Sequence, residues 1–481
     1  MTTANSAGPD VAGLVARLRD LSDGVSEAPP DTADAGVDWW PLAMVFRHKD
    51  SHLLPSRPDV VVRPSSAEKV AAVLKVCATE GVPVTAFGGR SGVCGGSLPV
   101  HGGVSLDLGG LSGIEDVDGE SMLVTVGAGT NGRAFEDELR GTHGLTVGHW
   151  PQSIDLASVG GWVACRGAGQ YSTRYGVVAD MVEGLEVALA DGSLIRTGWR
   201  GPRSATGPDL TQLFVGSEGT LGVVTKVRLR AHPAPVDQWK AAWVFPDFAT
   251  GLGVCRRVLR RGATPAVLRL YDKRETRRHF ADDAGSGCAL VALDEGDSKL
   301  IEATRHIVSA EAAADGEARP ASLVDHWLET RNHVGGLGDA VAAGLVVDTC
   351  EIAAPWAAAR SLAESAPAAV MAVPDTLAAT VHASHHYSDG TCLYVTFAGK
   401  TDDPARWYVS VWDALMRNTL DAGGAISHHH GIGLVRGRHM REALGPAFDV
   451  LKGLKASLDP TGVLNPGKLG LPSPFGEPVW P

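Results

Sequence analysis

Near the C-terminal end, "GGAISHHHGIG" (residues 423–433) sets His428, His429 and His430 side by side between glycines. Imidazoles ligate metals, move protons near neutral pH and bind anions. Three readings follow: a metal centre, a surface cluster, or the polar edge of an active site on a glycine-bounded turn. Adjacent residues point in different directions, and the i, i+4 spacing of a zinc-binding helix is absent. The metal reading is therefore the weakest, and no metal ligands are assigned. Upstream, "GTCLYVTFAG" puts Tyr394 in mid-strand, with Cys392 two residues earlier on the same strand face. By residue type alone, Tyr394 is a core tyrosine with a satisfied hydroxyl, and Cys392 is a small buried hydrophobe that at most lines a pocket. Arg269 in "LRLYD" and Arg331 in "ETRNHV" are as readily ion-pair partners as anion clamps.

Regular elements must position these residues. "DVVVRP" reads as a short strand closed by Pro64. A helix follows, capped by Ser65 or Ser66, with Val70, Val73, Leu74 and Val76 at helical spacing and Gly81 as its stop. "VPVTAFGG" is the next strand. Short strands ending in turn signals fill 87–232: "GVSLDL", "SMLVTVGAG", "VEGLEVALADGSLI" and "LGVVTKVRLRA". Longer alternations of strand and helix occupy 233–410. "DPARWYVSVWDALMRNTLDAGG" is a helix with a glycine stop, and the stretch from Arg441 reads as one more helix closed by Pro460. Within residues 1–36, "VAGLVARLRDL" is a short amphipathic helix and the rest reads as linker. Four segments result: 1–55, 56–232, 233–410 and 411–481.

The chain has 481 residues, 44% hydrophobic and 20% charged, as in a folded globular protein. A net charge of −12 argues against a nucleic-acid partner, because phosphates demand a dense basic surface. A local basic pocket for one small anion remains compatible with it. The seven cysteines include no CxxC pair, which fits a reducing compartment. The N-terminus lacks the pattern of a secretory signal, no apolar run approaches the ~20 residues of a membrane span, and "EPVWP" is no peroxisomal address. A cytoplasmic protein is expected.

Three glycine-rich stretches remain: "FGGRSGVCGG" (87–96), "GHWPQSIDLASVGGWVACRGAG" (148–169) and "FVGSEGTLGVVTKV" (214–227). Clustered glycines let backbone N–H groups converge on phosphate, although neither the dinucleotide fingerprint nor the Walker loop is present. In their order and separation the three resemble the flavin-binding domain of the vanillyl-alcohol oxidase superfamily. That resemblance implies FAD as cofactor and an α+β fold: a flavin domain of two α+β subdomains, plus a cap domain with an antiparallel sheet flanked by helices. It assigns FAD contacts to Gly88, Gly89, Arg90, Ser91, Gly92 and Val93. The second stretch adds Pro151, Ser153, Ser158, Gly160 and Gly161, and the third adds Gly216, Glu218, Gly219, Thr220 and Val224.

The second stretch, "GPRSATGPDLTQLFVGSEGTLGVVT", "LRLYD", "ETRNHV", "EIAAPW", "GTCLYVTFAG" and "SHHHGIG" together resemble the alkyldihydroxyacetonephosphate synthases, over roughly residues 40 to 470. That family exchanges the acyl group of acyl-dihydroxyacetone phosphate for a fatty alcohol in ether-lipid synthesis, with flavin N5 as a covalent trap. The resemblance implies that Tyr394 is the base, its phenol ionised with help from Arg269 and Arg331. These arginines and His428, His429 and His430 would hold phosphate and shuttle protons. It further implies a phosphorylated substrate, a fatty alcohol, peripheral membrane contact and, by family analogy, a homodimer. The stretch 272–290 lacks the longer apolar insertion of that family, associated with lipid access. The D-2-hydroxy-acid dehydrogenases and oxidases, of D-lactate or glycolate type, resemble this chain in "DPTGVLNPGK" (459–468). They typically carry paired metal histidines and a later Glu-His-Gly. Here "HHYSDGTCLY" keeps the Asp-Gly frame but has Tyr394 in place of the second histidine, and His429 stands where the glutamate would be. His385 and His386 are then remnants or new substrate contacts.

Overall fold

A computed structural model describes residues 11–49, 56–198, 201, 204–280, 285–333 and 336–478. The first ten residues, the end of the quoted tail and residues 281–284 of the short 272–290 stretch lie outside these. Among the described residues, strands assemble into sheets of four, five and seven strands and one two-stranded pair.

The four-stranded sheet grows from the expected strand–helix–strand unit. Val60–Arg63 and Val84–Phe87 both pair in parallel with Val104–Asp107. Their connection is the helix Ala67–Glu80, capped by Ser66, whose side chain accepts from the Lys69 N–H, and stopped by Gly81 at φ 67°. Val70, Val73, Leu74 and Cys77 are fully buried on this sheet, each aliphatic side chain contributing ~1.5–3 kcal/mol. Cys77 takes the place expected of Val76, which is only half-buried. The linker expected before residue 36 is instead structured. Gly24–Ser26 pairs antiparallel with Val60–Arg63 at the sheet's edge, and Pro29–Ala35 forms a helix with Pro29 and Pro30 in its first turn.

The five-stranded antiparallel sheet includes the hairpin of Val182–Ala188 and Leu194–Gly198, turned at the expected Asp-Gly. Its central strand is Val223–Arg230, which leads directly out of the third glycine stretch.

The seven-stranded sheet is antiparallel at every pairing and carries the chemistry-bearing positions. Strand Gly390–Gly399 lies between Val346–Pro355 and Thr376–His386. Helices Trp356–Met371 and Pro404–Asp421 cover one face, burying Leu362, Trp407, Tyr408, Val411, Trp412 and Leu415. The single helix expected after Arg441 is two, Met440–Leu444 and Ala447–Leu458, because Gly445 at φ 54° and Pro446 interrupt it.

Candidate active site

Register puts the reactive groups in a row. Tyr394 pairs with Glu351 on one side and His382 on the other, and His382 pairs in turn with Tyr271. Directly opposed residues share a sheet face, so these four side chains lie on one face, together with Arg269, two residues before Tyr271. His382 stacks on the Tyr394 ring (4.4 Å between centroids) and shares a 2.6 Å hydrogen bond with Arg269 Nη2. The Arg269 guanidinium stands over the Tyr394 ring at 5.5 Å. At the strand's end a register irregularity between Ser384 and His386, with His385 at φ 54°, turns His385 toward Tyr394. His385 Nε2 lies 2.7 Å from the Tyr394 hydroxyl, and His429 Nε2 lies 3.2 Å from it on the other side.

Two carboxylates shape the histidine turn. Glu351 accepts from Ser427 Oγ (2.9 Å) and from the backbone N–H groups of His428, His429 and His430 (3.2, 2.9 and 2.6 Å). Its other oxygen pairs with the fully buried Arg436. Burial pushes the Glu351 carboxyl up, but the Arg436 charge, then His430 and His429 and the backbone donors outweigh it and hold it well below the usual carboxylate range. Glu218 accepts from the N–H groups of Ile432 (2.6 Å) and Gly433 (2.8 Å). Gly433 has to be glycine: at φ 50°, a Cβ there would lie 2.1 Å from the Cys94 carbonyl oxygen.

These groups line one cavity together with residues of the three glycine stretches. Its lining includes Gly88, Gly89, Arg90, Ser91, Gly92, Val93, Pro151, Ser153, Ser158, Gly160, Gly161, Glu218, Gly219 and Val224, and beyond them Arg269, His385, Tyr394, His429 and His430. Gly88 and Gly89 pack against the second stretch so closely that a Cβ would meet Ser158 Oγ at 2.0 Å and the Leu156 carbonyl oxygen at 1.8 Å. Arg90, at φ 50°, turns out to Asp34 of the N-terminal helix, and the Trp39 N–H bonds the Gly92 carbonyl at 2.9 Å. Asn465 in "DPTGVLNPGK" donates to the carbonyls of Gly96 (2.9 Å) and Glu218 (2.7 Å), which braces the first and third stretches against each other.

Four expected site residues stand outside the cavity wall. Gly216 and Thr220 shape the third stretch, Gly216 with φ 87° and Thr220 Oγ1 donating to the Ser217 carbonyl at 2.7 Å. His428 lies one layer behind, its Nδ1 2.9 Å from His429 Nδ1. Arg331 is the clear departure: it donates to Gln170 Oε1 at 3.1 Å and stands over the rings of Trp150, Tyr171 and Trp327. The expected help from two arginines in ionising Tyr394 thus reduces to one. Burial wins over Arg269 and pushes the phenol well above its ordinary pKa. The histidines differ from expectation in the same sense. Burial lowers His428 to about 4 and His429 well below its ordinary range, so both are neutral at pH 7 rather than titrating near it. Cys392 is buried and absent from the lining. Among the described residues, one ligand atom each from Cys392, His428 and His429 falls within 4.8 Å of the others, but the two imidazoles already engage each other.

Sequence reasoning missed Glu351, Arg436, His149, Ser172 and Tyr387. A charged residue between apolar ones in "TCEIAAP" was the available signal for Glu351. His149 lines the cavity, is 1% exposed and has no partner for either ring nitrogen among the described residues.

Residues 58–198 match a family model described as an FAD binding domain, and 235–469 match one described as the C-terminal domain of FAD linked oxidases. The chain is 31% identical over 437 residues (86% of this chain, 89% of the relative) to the uncharacterized FAD-linked oxidoreductase YgcU of Escherichia coli K12. It is 31% identical over 460 residues (91% and 90%) to a probable mitochondrial D-lactate dehydrogenase of Danio rerio. It is 27% identical over 455 residues (86% and 73%) to the alkyldihydroxyacetonephosphate synthase of Dictyostelium discoideum. A solved alkyldihydroxyacetonephosphate synthase superposes with a TM-score of 0.80 at 23% identity, covering 96% of this chain and 87% of that one. Substrate-bound p-cresol methylhydroxylase gives 0.76 at 18%, covering 96% and 97%.

Proposed function

Since the chain belongs to the FAD-linked oxidases and FAD is its cofactor, we propose that it works as an alkyldihydroxyacetonephosphate synthase-like transferase. FAD suits the residues present. All three glycine stretches line the cavity, its glycine walls leave no room for side chains at Gly88 and Gly89, and His149 offers a polar edge inside it that has no partner among the described residues. Gly88–Val93, Pro151–Ser158 and Glu218–Gly219 would hold the cofactor. When bound, FAD supplies the electrophilic centre of the reaction.

One observation carries the reading: the Tyr394 hydroxyl, in the cavity lining, is held between two neutral imidazoles beside the half-buried Arg269 guanidinium. Arg269 remains charged at any working pH, and its Nε has no hydrogen-bond partner among the described residues. A half-buried cation that lines the cavity with a free donor calls for an anionic group on the substrate, and a phosphate provides one. In this reading Tyr394 takes a proton from the carbon next to that anchor, and His385 and His429 receive or return it. The test is to incubate the purified yellow protein with acyl-dihydroxyacetone phosphate and a labelled fatty alcohol, and to look for the alkyl product with release of the fatty acid.

A second reading, a D-2-hydroxy-acid dehydrogenase or oxidase, draws support from the 31% identity to the D-lactate dehydrogenase relative, above the 27% to the synthase. A carboxylate would serve Arg269 as well as a phosphate does. Anaerobic bleaching of the flavin by a D-2-hydroxy acid, with no alkyl product, would decide for it.

A further inference from the structure

The polar groups around Tyr394 close on themselves. Tyr394 Oη meets His385 Nε2 (2.7 Å), and His385 Nδ1 meets Ser172 Oγ (2.7 Å). Ser172 Oγ meets Tyr387 Oη (3.2 Å), which meets His428 Nε2 (2.9 Å). His428 Nδ1 meets His429 Nδ1 (2.9 Å), and His429 Nε2 returns to Tyr394 Oη (3.2 Å). Three hydroxyls and three imidazoles make six hydrogen bonds, and each group makes two of them. Ser172 comes from the short helix Ser172–Tyr175, His385, Tyr387 and Tyr394 from the seven-stranded sheet and its turn, and His428 and His429 from the C-terminal turn.

A neutral hydroxyl or imidazole brings one proton and one acceptor to a two-partner site. Six protons then fill six bonds only if every bond runs the same way round. In one sense His385 and His428 carry their protons on Nε2 and His429 on Nδ1. In the other sense all three are reversed. Burial, which holds these imidazoles neutral, is the condition for such a ring.

We propose that this closed ring is a proton circuit that lets Tyr394 release and recover its proton with no net charge entering the site, Ser172, Tyr387 and His428 acting as relay residues behind the cavity wall. The proposal rests on Tyr394 being the base. Tyr394 passes its hydroxyl proton to His429 Nε2, and the His429 Nδ1 proton moves to His428 Nδ1. The His428 Nε2 proton moves to Tyr387, the Tyr387 proton to Ser172, and the Ser172 proton to His385 Nδ1. His385, still protonated on Nε2, becomes the cation, and the phenolate accepts from both His385 and His429. No proton has left the ring and its charge is unchanged. A phenolate in contact with its imidazolium avoids the penalty of an isolated buried charge. The substrate's carbon-bound proton then goes to the phenolate oxygen, and its electron pair stays with the carbon. Ring and hydroxyls store that proton until a later step returns it.

Two measurements on the FAD-loaded protein test this. The first is ¹⁵N-histidine NMR near pH 7, with signals assigned through single His→Gln variants. The expected result is three neutral rings, with His385 and His428 in one tautomer and His429 in the other. Unlike tautomers at His385 and His428, or an imidazolium in the resting protein, would overturn the ring. The second is turnover of Tyr387→Phe and Ser172→Ala, neither of which lines the cavity. In both, kcat should fall about tenfold or more at unchanged KM and unchanged flavin content, the solvent isotope effect should shrink to that of one proton, and Ser172→Thr should restore both. Native kcat and native isotope dependence in both variants, with Tyr394→Phe inactive, sinks the circuit and leaves the base intact. An active Tyr394→Phe removes the base, and with it the circuit, whatever the tautomers show.

Discussion

The turn at His428–Gly433 has two polar neighbourhoods that handle burial in opposite ways. On one side, Glu351 and Arg436, both buried, are ionised, and the backbone N–H groups of His428, His429 and His430 are all spent on the carboxylate. On the other side, His385, Tyr394, His428, His429, Tyr387 and Ser172 are all neutral and satisfy one another. A buried charge is tolerable only when fully paired, and full pairing fixes it in place. A neutral chain of donors and acceptors can reverse its protons without moving a heavy atom. The fold thus uses fixed charge to hold the turn and uncharged groups along the proposed proton circuit.

Acid should break this contrast most severely. Burial lowers His428 and His382 to about 4, His149 and His386 to about 3, and His385 and His429 well below their ordinary value. A histidine whose folded pKa lies below its unfolded one binds fewer protons when folded. Its contribution is complete above about pH 6.5 and is lost as pH falls from there toward 4, at up to ~1.4 kcal/mol per unit per ring. Asp38 and Asp348, raised to about 7 by burial, act with the opposite sign, since the folded state keeps their protons between about pH 4 and 7. Burial also lowers His101, His232, His279, His430 and His439 and raises Glu136, Glu218, Asp272 and Asp294, so that eleven imidazoles stand against six carboxyls among the described residues and a net loss remains. Thermal unfolding followed from pH 7.5 to 4.5 should show a steep fall in Tm below about 6.5; a flat or rising profile would mean that the rings are already charged in the fold.

Next in size is the ionised side. Glu351→Ala leaves Arg436 buried with no counter-charge and frees three turn N–H groups, at a cost of ~3–5 kcal/mol. Glu351→Gln should lose less, because an amide still accepts from the turn. Urea midpoints of the two variants measure the gap, and equal midpoints would show that the charge itself does little.

Tyr394→Phe probes the neutral side alone. It leaves His385 and His429 each short of one bond, so stability should fall by ~1–3 kcal/mol. Turnover should fall by ~10²–10⁴, the range for a lost general base, with flavin content and KM little changed. Loss of flavin together with activity would make the tyrosine a structural prop of the cofactor site.

How legible each region was follows from how far its causes show in residue type and local pattern. The glycine stretches could be read because the demand on them shows in residue type: Gly88 and Gly89 are glycine since a Cβ would strike Ser158 and Leu156, although those partners lie far along the chain. Ser66 and Gly81 were equally plain, whereas the stretch read as one strand over 182–195 is a hairpin turned at Asp191-Gly192. The N-terminal strand Gly24–Ser26 was not, because three weakly patterned residues gain their pairing only from Val60–Arg63. The ring was invisible for a different reason. Ser172 and His385 lie 213 positions apart, and only sheet register and the irregularity at His385 bring them together. Arg331 shows the converse: a residue in a recognisable string whose side chain the fold spends elsewhere, on Gln170 and three aromatic rings.

That arginine supplies the smallest and most discriminating test. If the anion anchor belongs to the row on the seven-stranded sheet, Arg269→Met should raise KM strongly for the phosphorylated substrate, since an ionic hydrogen bond of ~1.5–3 kcal/mol is removed. Arg331→Met keeps much of the packing on Trp150, Tyr171 and Trp327 and gives up one hydrogen bond to Gln170 and its cation–π contacts, so a stability change of ~1 kcal/mol and near-native kcat and KM are expected. Gln170 itself lines the cavity. A kcat or KM defect in Arg331→Met as large as that in Arg269→Met would therefore mean that the guanidinium acts through Gln170, and that the anion site extends beyond the Tyr394 row into the second glycine stretch.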